Sequence, residues 1–151
     1  MKNKDVKKIQ KIVLTAAAIV WVCVIFSFSL SNGTSSSNLS HRIMYWIATT
    51  FHIHLPVFFL RKAAHFLEYA ILGLLIASVV PLYKKNGPYY LVSWVVGIPV
   101  SIIDECIQHF VPGRSGNFID VSIDMTGVFA GVAVFLFFRL RRRKRKTCDK
   151  T

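Results

Sequence analysis

Four apolar segments, each close to the length of a membrane crossing, dominate this chain of 151 residues. They cover residues 12–30, 63–82, 88–103 and 118–138, and the third continues into residues 104–110. A helix needs roughly 20 apolar residues to cross a hydrocarbon core of about 30 Å. With 54% hydrophobic residues, the chain is too apolar for an ordinary soluble domain. We therefore predict an all-α integral membrane protein with four transmembrane helices, forming a single domain over residues 1–151.

Basic residues flank the apolar segments and predict their orientation. Residues 1–11, 84–85 and 139–151 carry fifteen Lys and Arg, whereas the other connections carry four. The positive-inside rule then places both termini in the cytoplasm, as a basic leader (1–11) and a basic tail (139–151). A signal peptide has the same polarity, but residues 12–30 exceed a typical signal core and favour an uncleaved helix. This clustering beside apolar segments also argues against a nucleic-acid partner, despite a pI near 10.

One further apolar segment does not fit a simple crossing. Residues 43–60 contain His52, His54 and Pro56, and a fifth crossing here would separate the two basic termini. We therefore predict an additional interfacial or re-entrant helix on the outer face over residues 43–60. The preceding residues 31–40, rich in Ser and Asn, are expected to form a flexible loop.

Acidic residues are rare and concentrated in the apolar part of the chain. Of seven Asp and Glu, five lie inside or at the edge of the apolar segments: Glu68, Asp104, Glu105, Asp120 and Asp124. Ionisable groups at membrane depth are costly and usually face a bundle interior or a water-filled cavity. The predicted topology places all five in the outer halves of their helices. We therefore predict one polar site that faces the external leaflet.

Helical spacing places these acids and nearby polar residues on common helix faces. The sets at i, i+3 or i+4 spacing are Arg61, His65 and Glu68; Asp104 and Gln108; Glu105 and His109; and Asp120 and Asp124. Gly127 and Gly131 prolong the last face and form a small-xxx-small pattern, which permits close helix approach.

Candidate acid–base groups follow from these sets. His65 or Glu68 would act as general acid or base, and Asp104 or Glu105 would orient it. The same four residues could hold a divalent metal, since imidazole and carboxylate are suitable ligands. They form no compact ligand motif, however, so we predict no metal and no cofactor.

Basic residues beside the acids have two interpretations. Arg61, Lys62 and Arg114 suit the binding of a phosphate or carboxylate, which Arg can contact with two parallel hydrogen bonds. In the alternative, purely structural interpretation, Arg61, His65 and Arg114 neutralise buried acids so that the helix bundle closes. Spacing does not choose between the two.

Two sequence blocks resemble the VanZ-like family of bacterial membrane proteins. The first is residues 61–73, RKAAHFLEYAILG, and the second is residues 104–116, DECIQHFVPGRSG. The second block continues to Asp120, Asp124, Gly127 and Gly131, and residues 28–31 (FSLS) also match. The resemblance spans roughly residues 20–135. At the position of Asp124 the family often has Asn, so this chain departs from the pattern there.

The resemblance implies a cell-envelope role in the bacterial cytoplasmic membrane, associated with teicoplanin-type glycopeptide resistance. It implies that the matched polar residues are needed for function. The candidate substrate-binding residues are Arg61, Lys62, Tyr69, Gln108, Arg114, Asp120 and Asp124. Expected partners are membrane lipids and either a lipid-linked cell-wall precursor or a glycopeptide antibiotic; the oligomeric state stays unassigned. Three functions stay open: a binding protein that alters such a component, a membrane enzyme using acid–base chemistry, and a small proton-coupled transporter.

Overall fold

The computed structural model describes residues 3–31, 33–52, 56–84, 87–114 and 116–148. This part of the chain forms five α-helices: α1 (Asn3–Leu30), α2 (Gly33–Phe51), α3 (Val57–Tyr83), α4 (Tyr89–Phe110) and α5 (Phe118–Cys148). Four segments are long and apolar enough to cross a membrane: Asp5–Leu30, Val57–Tyr83, Tyr89–Phe110 and Phe118–Arg143. The prediction of an all-helical chain with four membrane-crossing helices is confirmed.

The bundle has two chemically different ends. At the first, which we call the basic end, Lys11 Nζ of α1 lies 4.9 Å from the ring centroid of Tyr83, the last residue of α3. Arg139 of α5 lies 4.7 Å from the ring centroid of Tyr89, the first residue of α4. The start of α1 and the end of α5 therefore share the basic end. At the opposite, polar end, Lys62 of α3 pairs with an acid of α5.

Large apolar side chains cover the outside of the bundle. Ile19, Val95 and Phe129, from three different helices, expose 61%, 72% and 61% of their surface. Water-soluble proteins rarely expose apolar surface this extensively, whereas a lipid environment suits it. The buried apolar cluster consists of Ile25, Tyr69, Leu72, Ile76, Val80 and Val128. Its members come from α1, α3 and α5, so α3 lies at the centre of the bundle.

Glycines allow α3 and α5 to approach closely. A Cβ atom at Gly131 of α5 would collide with the backbone of Ala70, and one at Gly127 would also meet the α3 backbone. From the other side, a Cβ atom at Gly73 would collide with the backbone of Val128. The small-xxx-small pattern of α5 therefore lies directly against α3, and this contact fixes the register between the polar faces of the two helices.

Replacing Gly131 with Val is expected to destabilise the bundle by at least about 2 kcal/mol, because overpacking costs about 1–3 kcal/mol and this clash is with backbone. The matched control is Ala133→Val, at an exposed position of the same helix. Denaturant unfolding in mixed detergent micelles gives both values. Equal destabilisation by the two variants would contradict the close packing of α3 against α5.

The expected loop at residues 31–40 is wrong for residues 33–40, which form the start of α2. The backbone N–H of Gly33 donates to the carbonyl of Pro112 at 3.2 Å, so the loop before α5 anchors the start of this helix. The Ser, Thr and Asn residues that suggested a loop are also favoured at helix N-termini. Composition alone therefore did not distinguish the two structures.

An additional helix beyond the four crossings is present as predicted, but its predicted bounds of residues 43–60 are wrong. Helix α2 ends at Phe51, His52 adopts a positive φ of 54°, and α3 begins at Val57 after Pro56. A left-handed residue commonly ends a helix, and proline disfavours helical backbone in the residue before it. Residues 53–55, including His54, lie outside the described part. The additional helix is α2, which is not one of the four membrane-crossing segments.

Candidate functional site

Helix α4 presents a stripe of buried polar side chains near the polar end of the bundle. Ser101, Asp104, Glu105 and Gln108 are all buried, although the neighbouring Ile102 and Ile103 are exposed. The i, i+3, i+4 and i+7 spacing of the four places them on one helix face. This face is turned towards α1, α3 and α5, so its polar atoms must find partners within the protein.

Asp104 is held by two neighbouring donors. The hydroxyl of Ser29, near the end of α1, donates to Asp104 Oδ1. The amide of Gln108, one turn further along α4, donates to Asp104 Oδ2 at 3.2 Å. Asp104 itself is 1% exposed. Its carboxylate is therefore fixed in position, as buried polar groups in stable proteins are.

Asp124 of α5 lies against both α3 and α4. It is fully buried, and the Ser101 hydroxyl donates to its Oδ2 at 2.6 Å. Its Oδ1 lies 3.3 Å from Nδ1 of His65, whose imidazole is also 4.0 Å from Asp104 Oδ2. The histidine thus links the two aspartates, which come from different helices.

Glu105 is the least satisfied member of the site. The backbone N–H of Asn117, just before α5, donates to Glu105 Oε2 at 2.7 Å. The other carboxylate oxygen, Oε1, is buried and has no hydrogen-bond partner among the described residues. An unpartnered buried oxygen is costly, so this atom calls for an explanation.

Four side chains converge at one point in the bundle. Ligand atoms of His65, Asp104, Glu105 and Asp124, one from each residue, all lie within 4.8 Å of one another. We call these four residues the carboxylate–histidine cluster. One imidazole and three carboxylates are suitable donors for a divalent metal. The set differs from the one that the sequence suggested, because Asp124 takes the place of Glu68.

A small polar cavity lies beside this cluster. Its volume is about 120 Å³ and its lining residues are Phe58, Arg61, Lys62, His65, Asn117 and Asp120. His65 belongs to both features, so the cavity reaches the cluster from the polar end of the bundle. Lys62 forms an ion pair with Asp120 across the cavity wall, and Arg61 adds a second cation.

Arg114 lies in the loop between α4 and α5. Its guanidinium donates to the Ser31 hydroxyl at 3.1 Å, while its Nε is buried without a partner among the described residues. Burial lowers the pKa of Arg114 and the nearby Arg61 acts in the same direction, whereas Asp104 raises it. An arginine nevertheless stays charged in proteins. Arg114 therefore ties this loop to the end of α1 and keeps a positive charge near the cluster.

The structure divides the sequence-predicted residues into three groups. His65, Asp104, Glu105, Gln108 and Asp124 form the buried cluster and its support, whereas Arg61, Lys62 and Asp120 line the cavity. The remaining residues lie elsewhere: Arg114 is in the adjoining loop, Glu68 is half-buried one turn beyond His65, and Tyr69 is fully buried in the apolar core.

Sequence reasoning did not predict three polar contacts, although Ser29 lies within the matched residues 28–31. Ser29, Ser101 and Asn117 hold the carboxylates of Asp104, Asp124 and Glu105, respectively. For Ser101 a signal was present, because Ser93, Gly97 and Ser101 repeat at i+4 on the face that continues to Glu105. Small residues at that spacing mark a helix face packed against protein rather than lipid.

These features define a class: a polytopic α-helical membrane protein with a buried ionisable site at one end of its bundle. Comparison with known families narrows this class. A family model described as VanZ/LLP1 matches residues 14–139, and the chain belongs to that family. Membership supports a bacterial membrane protein linked to glycopeptide resistance. No curated protein and no solved structure matches the chain.

Proposed function

We propose that this protein acts in the bacterial cytoplasmic membrane, where its polar end faces outward and binds an anionic group of a lipid-linked cell-wall component. Binding there would alter the access of teicoplanin-type glycopeptides to their target. The observation that carries the proposal is the small cavity in which Arg61 and Lys62 lie together beside the buried cluster. Lys62 is paired with Asp120, whereas Arg61 forms no ion pair among the described residues. The guanidinium of Arg61 therefore suits a phosphate or carboxylate, and Lys62 adds positive potential beside it.

The outward orientation of the polar end rests on charge. The basic end carries the start of α1 and the end of α5, where most of the chain's 19 Lys and Arg are found. Lys and Arg near membrane ends favour the cytoplasmic side. The cavity, at the opposite end, would then open to the external leaflet, where lipid-linked wall precursors are used.

The cavity also suits a small head group rather than a whole antibiotic. Its volume of about 120 Å³ accommodates a phosphate or carboxylate but not a glycopeptide. Arg61 is half-buried, so an anion bound there would be partly shielded from water and its pairing strengthened. We therefore propose the lipid-linked component, not the drug, as the bound molecule.

Arg61→Gln tests this proposal. Wild-type protein, expressed in a host that lacks it, is expected to raise teicoplanin tolerance more than vancomycin tolerance. The variant is expected to lose most of this effect, because a charge-assisted hydrogen bond contributes about 1.5–3 kcal/mol, or more than tenfold in affinity. Susceptibility is measured at matched membrane levels. The control is Arg42→Gln, an exposed arginine of α2.

Two outcomes would overturn the proposal. If wild type changes neither susceptibility, this protein has no role in glycopeptide tolerance. If Arg61→Gln and Arg42→Gln both protect as wild type does, the cavity is not the binding site.

A second candidate function is acid–base catalysis on a lipid-linked envelope substrate. The observation that favours it is the position of His65, which lines the cavity while its Nδ1 lies 3.3 Å from Asp124. A histidine oriented by a carboxylate is a common general base. Conversion of a lipid-linked substrate by purified protein, lost in His65→Gln, would favour the enzyme over the binding protein.

A further inference from the structure

We propose that the carboxylate–histidine cluster is a binding site for one divalent metal ion, with His65, Asp104, Glu105 and Asp124 as its protein ligands. This inference stands apart from the proposed function, because ion binding is measurable without any lipid or antibiotic. It also reverses the expectation from sequence, which found no compact ligand motif in the chain.

Geometry is the first support. Ligand atoms bound to a common first-row metal lie about 2.1 Å from it, and hence no more than about 4.2 Å from one another. In the structure, ligand atoms of all four residues already lie within 4.8 Å of one another. Small side-chain movements would bring them to bonding distance. The four ligands come from three helices, so the fold assembles them before any ion binds.

An unpartnered buried oxygen is the second, independent support. Glu105 is only 7% exposed, and its Oε1 has no hydrogen-bond partner among the described residues. Its other oxygen is held by the backbone N–H of Asn117 at 2.7 Å. The side chain is therefore positioned with one oxygen left available to a ligand. A bound cation would supply the missing partner.

The partners of the other ligands match those expected around a metal. Ser29 and Gln108 donate to Asp104, and Ser101 donates to Asp124. In known metal sites, ligating carboxylates are themselves hydrogen-bonded, which fixes their orientation. Each aspartate here has such a donor while still placing an oxygen near the common point.

Charge is the third support. The cluster brings three carboxylates together in a buried position. Of the nearby cations, Lys62 is paired with Asp120. Among the described residues, neither Arg61 nor Arg114 forms an ion pair with a carboxylate of the cluster. Like charges that are buried without compensation are strongly unfavourable. A divalent ion at the common point would offset most of this charge, whereas a neutral imidazole does not.

The donor set indicates the kind of ion. One imidazole nitrogen and three carboxylate oxygens, without thiolate, favour a first-row cation such as Zn²⁺ or Mn²⁺ over Cu⁺. Ca²⁺ prefers a larger set of oxygen ligands, and Mg²⁺ usually keeps several waters. We therefore choose Zn²⁺ and Mn²⁺ as the two probes.

The test uses the full chain, purified in detergent and stripped with a chelator. Titration calorimetry with ZnCl₂ and, separately, MnCl₂ is expected to show one ion per chain for at least one of the metals. Glu105→Gln is expected to weaken binding at least about tenfold. Its matched control is Glu68→Gln, which removes a nearby half-buried carboxylate outside the cluster. His65→Gln is paired in the same way with the exposed His109→Gln.

Three results would overturn the proposal. The first is no stoichiometric binding of either metal to folded wild type, which would leave the cluster as a hydrogen-bonded structural core. The second is equal weakening by Glu68→Gln and Glu105→Gln, or by His109→Gln and His65→Gln, which would indicate binding elsewhere. If Glu105→Gln does not fold, the zinc ligands of the wild-type protein are identified by zinc K-edge X-ray absorption. Zinc coordinated by one imidazole and oxygen atoms supports the site. Zinc coordinated by sulfur is the third result that would overturn it.

Discussion

Asp104→Asn is expected to abolish the tolerance that the wild-type protein confers, while the helix bundle still forms. Asp104 joins the hydroxyl of Ser29, the amide of Gln108 and, at 4.0 Å, the imidazole of His65. Asn has the same size but replaces one acceptor oxygen by a donor and removes the charge. Because both direct partners donate to Asp104, one donor would then face another. The loss of one buried hydrogen bond costs about 1–3 kcal/mol, which most folded domains survive.

Susceptibility to teicoplanin, measured at matched membrane levels, tests this expectation. The matched control is Asp5→Asn, an exposed acid in the first turn of α1 at the basic end of the bundle. The control should protect like wild type. Full protection by Asp104→Asn would show that tolerance does not need the buried carboxylate, so that the cavity lined by Arg61 and Lys62 would act without it.

The membrane-crossing helices were predictable because their signal is contained within each segment. A run of apolar residues with basic flanks specifies a crossing without reference to any partner. The region between α1 and α3 was not predictable in this way. Residues 33–40 have the composition of a loop, and their helix is anchored by the contact between Gly33 and Pro112, which are far apart in sequence.

The polar site was only partly predictable, for a related physical reason. Spacing within one helix identified the face shared by Asp104 and Gln108, which are in contact. It did not show which residue of a neighbouring helix meets that face. Asp124 reaches His65 because glycines bring α5 against α3, whereas Glu68 lies one turn further along α3 and outside the cluster. Contacts between helices depend on their relative rotation and register, which spacing within a helix does not specify.

The serine partners were missed because a hydroxyl is neutral and compatible with a lipid-facing helix. The small-residue repeat that includes Ser101 marks a helix face packed against protein, but it does not reveal a hydrogen-bond partner. That Ser29 and Ser101 each donate to an aspartate is seen only in the structure. Asn117 was missed for another reason, since it contributes its backbone N–H, which any residue except proline has. Sequence therefore indicated the charged members of the site better than the groups that hold them.

The largest effect on stability is expected from Lys62→Asp. Lys62 of α3 and Asp120 of α5 form an ion pair with side chains only 18% and 11% exposed. The substitution would place two carboxylates together at the polar end of the bundle. Breaking a buried pair costs about 3–5 kcal/mol, and repulsion between the acids adds to this cost. Unfolding in mixed detergent micelles measures the change. The control is Lys84→Asp, exposed at the C-terminal end of α3, which should stay within about 1 kcal/mol of wild type because only the helix dipole opposes it.

Exchanging the two residues separates the structural role of Lys62 from its proposed binding role. The double variant Lys62→Asp/Asp120→Lys is expected to recover most of the lost stability, since it restores the pair in reverse. Recovery should fall short by about 0.3–1 kcal/mol, because Asp120 lies in the first turn of α5, where the helix dipole favours an acid. No recovery of stability would contradict a direct ion pair between the two residues.

A double variant that recovers stability but not teicoplanin tolerance would show that the position of the cation in the cavity matters as well as the pairing. If tolerance also recovers, a cation at either position of the cavity wall suffices, and its placement on α3 is not required.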